Sequence, residues 1–397
     1  ADPHAKLDSH RHDIHAALED AVRQALISDV PLGAFLSGGL DSSLIVALMR
    51  RHSNSAVKTF SIGFEGESSF DETIYARQVA QHLGTEHTAF TVKPQTLDLL
   101  PKLVWHHDQP FGDSSAIPTY LVSTLAREHV TVALTGDGGD ELFAGYDRFK
   151  AAALVERLHV VPKPVLRVVD DILDFMPEGT NYANRVQRAR RFVRGAAQSQ
   201  TLAYFDWMRL FSADLSHDLL RVNGDTAGQH FITGAVGAGV AGLLDRNLTT
   251  YLPDDLLVKT DRSSMAASLE TRAPFLDHLL VERAARVPLN LKLKGMSSKY
   301  ILKEIARAYL PDSIIDRPKH GFGVPLGAWL RRDIGIVRET LLSTEARARG
   351  LFAESAVARL IDAHVAGKRD HAQRLWALLT LEWWHRLFID SLQSVAP

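Results

Sequence analysis

The order of strand and helix signals predicts an α/β protein: a parallel sheet with helices on both faces, followed by a largely helical C-terminal part. Three observations carry this. Short apolar runs alternate with amphipathic stretches over the first 150 residues, glycine-rich turns follow two of the runs, and strand signals fade after about residue 150. The 397 residues, 46% hydrophobic and 23% charged, have an ordinary globular composition and are enough for two or three domains.

The elements follow in order. Asp13 to Ser28 reads as an amphipathic helix, with Ile14, Ala17, Leu18, Ala21, Val22, Ala25 and Leu26 at helical spacing. Asp29-Val30-Pro31 ends it, because proline restricts its neighbour and cannot donate. Leu32 to Leu36 reads as a buried strand that runs into Gly38-Gly39, and from Asp41 the pattern is helical again, with Leu44, Ile45, Leu48 and Met49 on one face. Val57 to Ile62 is a strand. Asp71 to Leu83 is a helix, with Asp71 as N-cap and Gly84 as its stop. His87 to Val92 is a strand, Ile117 to Arg127 a helix, and Val130 to Leu134 a strand ending in Thr135-Gly-Asp-Gly-Gly-Asp140. Ligands of parallel sheets bind beyond the carboxyl ends of the strands, so both glycine-rich turns belong on that edge. The domains expected are residues 1–150 as the α/β core, 151–250 as a helical insertion with breaks at Pro162-Lys-Pro164 and Pro177-Glu-Gly179, and 251–397 as a mainly helical part.

Several function classes are disfavoured. A net charge of −2 gives no general attraction to nucleic acid or anionic membranes. The absence of cysteine excludes disulfides, thiol nucleophiles and thiolate metal sites. No apolar run approaches the ~20 residues of a membrane span. Ala1 to Arg11 is polar and His-rich and lacks the layout of a signal peptide, so a cytoplasmic protein is expected.

The residues that could carry chemistry fall in three places. Ser37-Gly38-Gly39-Leu40-Asp41-Ser42-Ser43 lies between a strand and a helix. Glycines let the backbone approach an anion, the helix start offers unpaired N–H groups, and Asp41 beside a phosphate calls for a bridging Mg²⁺. The same loop also reads as a plain turn in which Asp41 or Ser42 caps the helix. It is not a Walker A loop, since no Gly-Lys-Ser or Gly-Lys-Thr occurs. Thr135-Gly136-Asp137-Gly138-Gly139-Asp140-Glu141 places three acids within five residues, which suits either a divalent ion with a triphosphate or a solvated turn. Lys299, ahead of a helix-like run, could offset charge on a phosphate, although sequence physics alone makes it a surface lysine.

Phe35-Leu-Ser-Gly-Gly-Leu-Asp-Ser-Ser43 resembles the pyrophosphate loop of the N-type ATP pyrophosphatases. Asp29-Val-Pro-Leu-Gly33, Thr59 to Phe64, Asp113 to Thr119, Leu134 to Tyr146, Met265 to Asp277 and Lys299 to Lys303, in that order, resemble the synthetase domain of the glutamine-dependent asparagine synthetases. The resemblance spans roughly residues 13–330. It implies an adenine nucleotide alpha hydrolase-like fold and an amide-forming ligase that uses ATP and Mg²⁺. By the resemblance, Asp41 and Asp140 hold Mg²⁺, and Ser37, Gly38, Gly39 and Ser42 cradle pyrophosphate. Leu36, Ile62, Thr135 and Gly136 contact the nucleotide, and Lys299 stabilises the departing pyrophosphate. Asp137 stands where many members carry a glutamate that assists the nitrogen nucleophile. Asp113, Ser114 and Arg272 are candidates for the substrate pocket. The substrates implied are aspartate, or a related carboxylate, and ammonia.

Whole-length members carry an N-terminal glutaminase domain with a cysteine nucleophile. That domain is expected to be absent here, with nitrogen coming as free ammonia or from a glutaminase domain or subunit. A homodimer is entertained as well. The rivals are a related amidotransferase or β-lactam-forming synthetase acting on another carboxylate, a tRNA-modifying pyrophosphatase, and a non-catalytic ATP-binding protein. The remaining signals read as structural: the basic run Arg185, Arg188, Arg190, Arg191, Arg194 as a solvated helix face, His10, His12 and His15 as surface, and His106-His107-Asp108 and Trp383-Trp384 as packing.

Overall fold

β-Branched and aromatic runs set between glycines and helices can bury both faces only as inner parallel strands. The computed structural model describes residues 3–66, 70–92, 97–158, 161–174, 176, 185–221, 239–318 and 323–390. In it β1 (Leu32–Phe35), β2 (Lys58–Phe64), β3 (Glu86–Val92), β4 (Val132–Leu134) and β5 (Glu270–Arg272) form one sheet in the order β3-β2-β1-β4-β5. Every neighbouring pair is parallel, with Ala34 level with Thr59 on one side and Leu134 on the other. The order reverses between β1 and β4, and a crevice opens at such a switch point beyond the strand ends. The turns Ser37–Ser43 and Thr135–Asp140 leave those two strands.

Helices cover both faces, as expected. On one, α1 (Pro3–Ala25), α2 (Leu40–His52) and the helices His278–Arg286 and Tyr300–Ala306 share a core with Leu36 and Leu134. Ile14, Leu18 and Val22 of α1 are buried in it, as their spacing predicts. On the other face Val122 and Ala126 pack on Phe60, Ile62 and Ala133. Each fully buried Leu or Ile contributes roughly 1.5–3 kcal/mol. α3 (Thr73–Leu83) ends at Gly84, whose φ of 64° lets its N–H reach Ala80 O. Its N-cap position is Glu72, one residue later than expected, and Asp71 serves it by accepting from Thr73 N at 2.9 Å.

Three expectations need correction. α1 starts at Pro3, not at Asp13 as expected, and takes in the polar, His-rich segment before it. β5 was not expected, because three residues, Glu-Thr-Arg, are too short and polar to show a period. The basic run is not simply solvated: Arg190 is buried, and Arg194 donates to Asp170 at 2.8 Å. The break at Pro177–Gly179 lies outside the described residues.

The chain divides into two units, each assembled from separate segments. The first comprises Ala1–Lys93, Pro118–Lys150 and Val240–Phe322, and holds the whole sheet. The second comprises Pro94–Ile117, Ala151–Gly239 and Gly323–Pro397. It contains α4 (Leu100–His107) and the start of α5 (Ala116–Arg127), with the helices Arg185–Ala196, Glu354–Val365 and Ala372–Trp384. His107 bonds Leu103 O and stacks on Phe111, and Asp108 ends α4 at φ 59°, so His106-His107-Asp108 is structural here. Trp384 packs on Phe388 in the same unit. Among the described residues no helix is long and apolar enough to cross a membrane.

Candidate active site

The site grows from the end of β1. Leu36 is buried and donates its N–H to Phe60 O at 2.8 Å, so the strand stays paired to the last residue before the turn. Gly38 then takes φ 72°, and a Cβ there would lie 2.5 Å from the backbone of Tyr75. Only glycine satisfies both demands. The Ser37 and Ser42 hydroxyls meet at 3.1 Å, Ser42 Oγ accepts from Ser37 N at 3.3 Å, and Ser37 Oγ accepts from Gly39 N at 3.2 Å. The N-cap of α2 is Gly39, and no side chain caps it. The capping alternative for Asp41 or Ser42 therefore does not hold, and the start of a 13-residue helix is left for an anion.

The second turn packs against the first, on its backbone at Ser42 and on the Asp41 side chain. A Cβ on Gly136 would lie 2.9 Å from Ser42 N, and one on Gly139 would lie 2.7 Å from Asp41 Cγ. Thr135 N donates to Arg272 O at 2.8 Å, which extends the β4–β5 pairing into the turn. Asp137 accepts from Thr135 Oγ1 at 2.9 Å and from the buried Thr260 Oγ1 at 3.2 Å. Glu141 turns away from this cluster: it is buried and accepts from Tyr146 OH. Burial, then Glu141, pushes the Tyr146 phenol well above its ordinary range. The Arg148 guanidinium lies over the Tyr146 ring at 3.8 Å.

Lys299 joins the two turns. It is buried, not a surface lysine, and its Nζ lies 2.6 Å from Asp140 Oδ1 while also donating to Asp41 Oδ2. Burial pulls its ammonium down, but Asp140 and Asp41 outweigh burial and hold it above the usual lysine range. Gly145, which sequence reasoning missed, makes this convergence possible. A Cβ there would lie 1.8 Å from Asp140 Oδ1 and 2.2 Å from Lys299 Cε. The signal was in Phe143-Ala-Gly-Tyr146, but only the fold shows what the glycine makes room for.

Among the described residues no group of three or more His, Cys, Asp or Glu side chains could hold a metal alone. Asp41 and Asp140 nonetheless converge on one cation. That fits Mg²⁺, which takes one or two carboxylates and completes its shell with water and phosphate oxygens. Ile62 is buried on β2, beside β1. Arg272 is placed elsewhere: its guanidinium donates to Ala25 O, Ile27 O and Glu270, and so clasps the end of α1. Asp113 and Ser114 belong to the second unit, where Asp113 accepts from Ser115 N at 2.9 Å and Ser114 Oγ accepts from Gln373 at 2.9 Å. A further group was missed entirely. Arg317 donates to Glu72 Oε1 at 2.9 Å and to Gly38 O at 3.5 Å, with its guanidinium 3.6 Å from the centre of the Tyr75 ring.

The family model described as asparagine synthase matches residues 13–386. The chain belongs to the asparagine synthase family. Asparagine synthetase (glutamine-hydrolyzing) 1 of Bacillus subtilis (strain 168) is 31% identical over 384 residues, covering 95% of this chain and 59% of that protein. Asparagine synthetase (glutamine-hydrolyzing) 3 of the same strain is 27% identical over 322 residues, covering 77% of this chain and 47% of that protein. Amidase chyE of Penicillium rubens (strain ATCC 28089 / DSM 1075 / NRRL 1951 / Wisconsin 54-1255) is 28% identical over 362 residues, covering 80% of this chain and 52% of that protein. The chain therefore spans about half to three fifths of the length of these relatives. Family membership agrees with the parallel sheet and with glycine turns meeting at its switch point.

Proposed function

We propose that the chain is a carbon–nitrogen ligase that activates a carboxylate, aspartate in the first instance, with ATP. The observation that carries this is the convergence of Asp41, Asp140 and Lys299 between two glycine turns at the sheet's switch point. The side-chain carboxylate of aspartate attacks the α-phosphorus, an aspartyl–adenylate bond forms, and the bond to pyrophosphate breaks. Ser37, Gly38, Gly39 and Ser42 bind the leaving pyrophosphate through N–H and O–H groups, and Lys299 offsets its charge. Leu36, Ile62, Thr135 and Gly136 line the place of the nucleotide. Mg²⁺, held by Asp41 and Asp140, would supply further charge neutralisation on the phosphates. Ammonia then attacks the acyl carbon, AMP leaves with the bonding electron pair, and Asp137 takes the proton that nitrogen gives up. The products are asparagine, AMP and pyrophosphate.

The 397 residues contain no cysteine, so we assign the nitrogen to ammonia delivered as such or by a glutaminase domain or subunit. The test is ATP turnover with aspartate, Mg²⁺ and ammonia: AMP, pyrophosphate and asparagine should appear in equal amounts. ATP left intact under those conditions would overturn the reading. A second reading, another carboxylate in place of aspartate, draws support from Asp137. Its side chain is a methylene shorter than the glutamate the resemblance leads one to expect, and two threonines hold it. A relative named as an amidase points the same way. A panel of carboxylic acids scored by pyrophosphate release separates the two.

A further inference from the structure

The Arg317 group lies in the same unit as Lys299 and its two carboxylates. Gly38, at φ 72°, is the loop's sharpest point and the residue whose backbone presses on α3. A loop built from glycine and serine has little stiffness of its own, because glycine restricts its neighbours least. Something must hold it if its N–H groups are to meet a phosphate without reorganising.

Arg317 is built for that. Its guanidinium touches three partners at once: the Glu72 carboxylate, the Tyr75 ring and the Gly38 carbonyl. Two of the three sit at the start of α3, the element against which Gly38 is pressed. The arginine and Glu72 side chains are only 12% and 11% exposed, so the pair is not a screened surface contact. The planar fork can bond and stack together, which an ammonium cannot do.

We propose that Arg317 is a positioning residue for the pyrophosphate loop, clamping Gly38 onto the first turn of α3 so that the loop's donors are in place before the phosphates arrive. This rests on the reading of Ser37–Ser43 as the loop for ATP phosphates. It adds a residue, distant in sequence, that acts through the loop and not on the substrate.

The test is equilibrium binding of MgATP and, separately, of AMP to the full chain. Arg317→Met should weaken MgATP about tenfold, the equivalent of one well-placed hydrogen bond, and leave AMP within about twofold. Arg317→Lys keeps the charge beside Glu72 but loses the fork, and should leave most of that deficit in place. Tyr75→Leu removes the stacking surface and should shift MgATP in the same direction. It decides the matter should the arginine variant fail to fold. Unchanged MgATP affinity in the variants overturns the proposal, as does an equal loss for AMP or full rescue by lysine. Wild-type chain that binds no MgATP would remove the underlying loop reading. Wild-type binding matched by Arg317→Met would remove the clamp alone.

Discussion

Lys299→Met tests the core of the site. The substitution removes the ammonium that joins Asp41 and Asp140. Two oxygens that share one nitrogen, the longer contact being 2.6 Å, are at most about 5 Å apart. At an effective dielectric near 20, like charges at about 5 Å repel by about 3 kcal/mol. Breaking a buried ion pair by removing one partner costs about 3–5 kcal/mol, so the two routes to the magnitude agree. The assay is urea unfolding at neutral pH, with and without MgCl₂. The variant should lose about 3–5 kcal/mol, and Mg²⁺ should restore more of its stability than it adds to wild type, because an ion can take the ammonium's place. Adding Asp140→Asn should recover most of the loss by removing one of the facing charges. A variant that unfolds in urea like wild type, or a double variant that recovers nothing, would refute the claim that these three groups form one electrostatic unit. The carboxylates would then lose their standing as a cation site.

Gly145→Ala should leave the chain folded, at a cost of about 1–3 kcal/mol, because the atoms its methyl meets are ends of side chains. It should nevertheless abolish pyrophosphate release, since Asp140 and Lys299 must part; turnover within twofold of wild type would contradict this. Thr260→Val removes a donor from Asp137. It should lower amide formed per pyrophosphate released by roughly three- to tenfold, the worth of one hydrogen bond, while pyrophosphate release itself is kept. Product ratios from a single assay check it. Burial pushes the Glu72 carboxyl from 4.5 up to about 7, against the pull of Arg317. A raised carboxyl favours the folded state below the unfolded pKa and loses that contribution as pH rises through the folded one. Wild type should therefore lose about 3 kcal/mol of stability between pH 4.5 and about 7 from this group. Glu72→Gln should flatten that slope in thermal melts taken across the range.

How much of this was legible in the chain depends on how local each signal is. The loop at Ser37 and the turn at Asp137 could be read because strand, glycine and helix follow one another within a few residues. Their meeting could be placed as well, since parallel strands put both turns on one edge. Lys299 could be placed there only through the resemblance, because it lies 258 positions from Asp41 and its burial is a tertiary fact. β5 escaped for a related reason: Glu270, Thr271 and Arg272 make a strand only because β4 offers an open edge. Arg272 carried a motif but not its role, for nothing local says that its guanidinium reaches Ala25 and Ile27. Arg317 was invisible in the same way, separated by 279 positions from the Gly38 carbonyl it approaches.

Backbone strain marks the same spot by a different route. Among the described residues four that are not glycine take positive φ: Asp108, Ala144, Ser268 and Lys299. Asp108 ends a helix and Ser268 lies in the turn before β5, where such angles reverse the chain. Ala144 at 56° follows the short helix Gly139–Leu142, and Lys299 at 53° is the N-cap residue of the helix Tyr300–Ala306, so both also sit where the chain turns at a helix end. Each costs on the order of 1 kcal/mol and persists only where its surroundings hold it. The Lys299 N–H donates to Phe143 O at 3.2 Å, so the two strained segments are tied to each other through their backbones. Beside that tie, Gly145 leaves room for Asp140 and the lysine side chain to meet. The two positive-φ residues and the ion pairing thus lie together: the backbone tie at Phe143 O holds Lys299 where its side chain meets both carboxylates. On the proposed function, charges fixed in this way act strongly on a reacting phosphate, because they need not reorganise during the reaction.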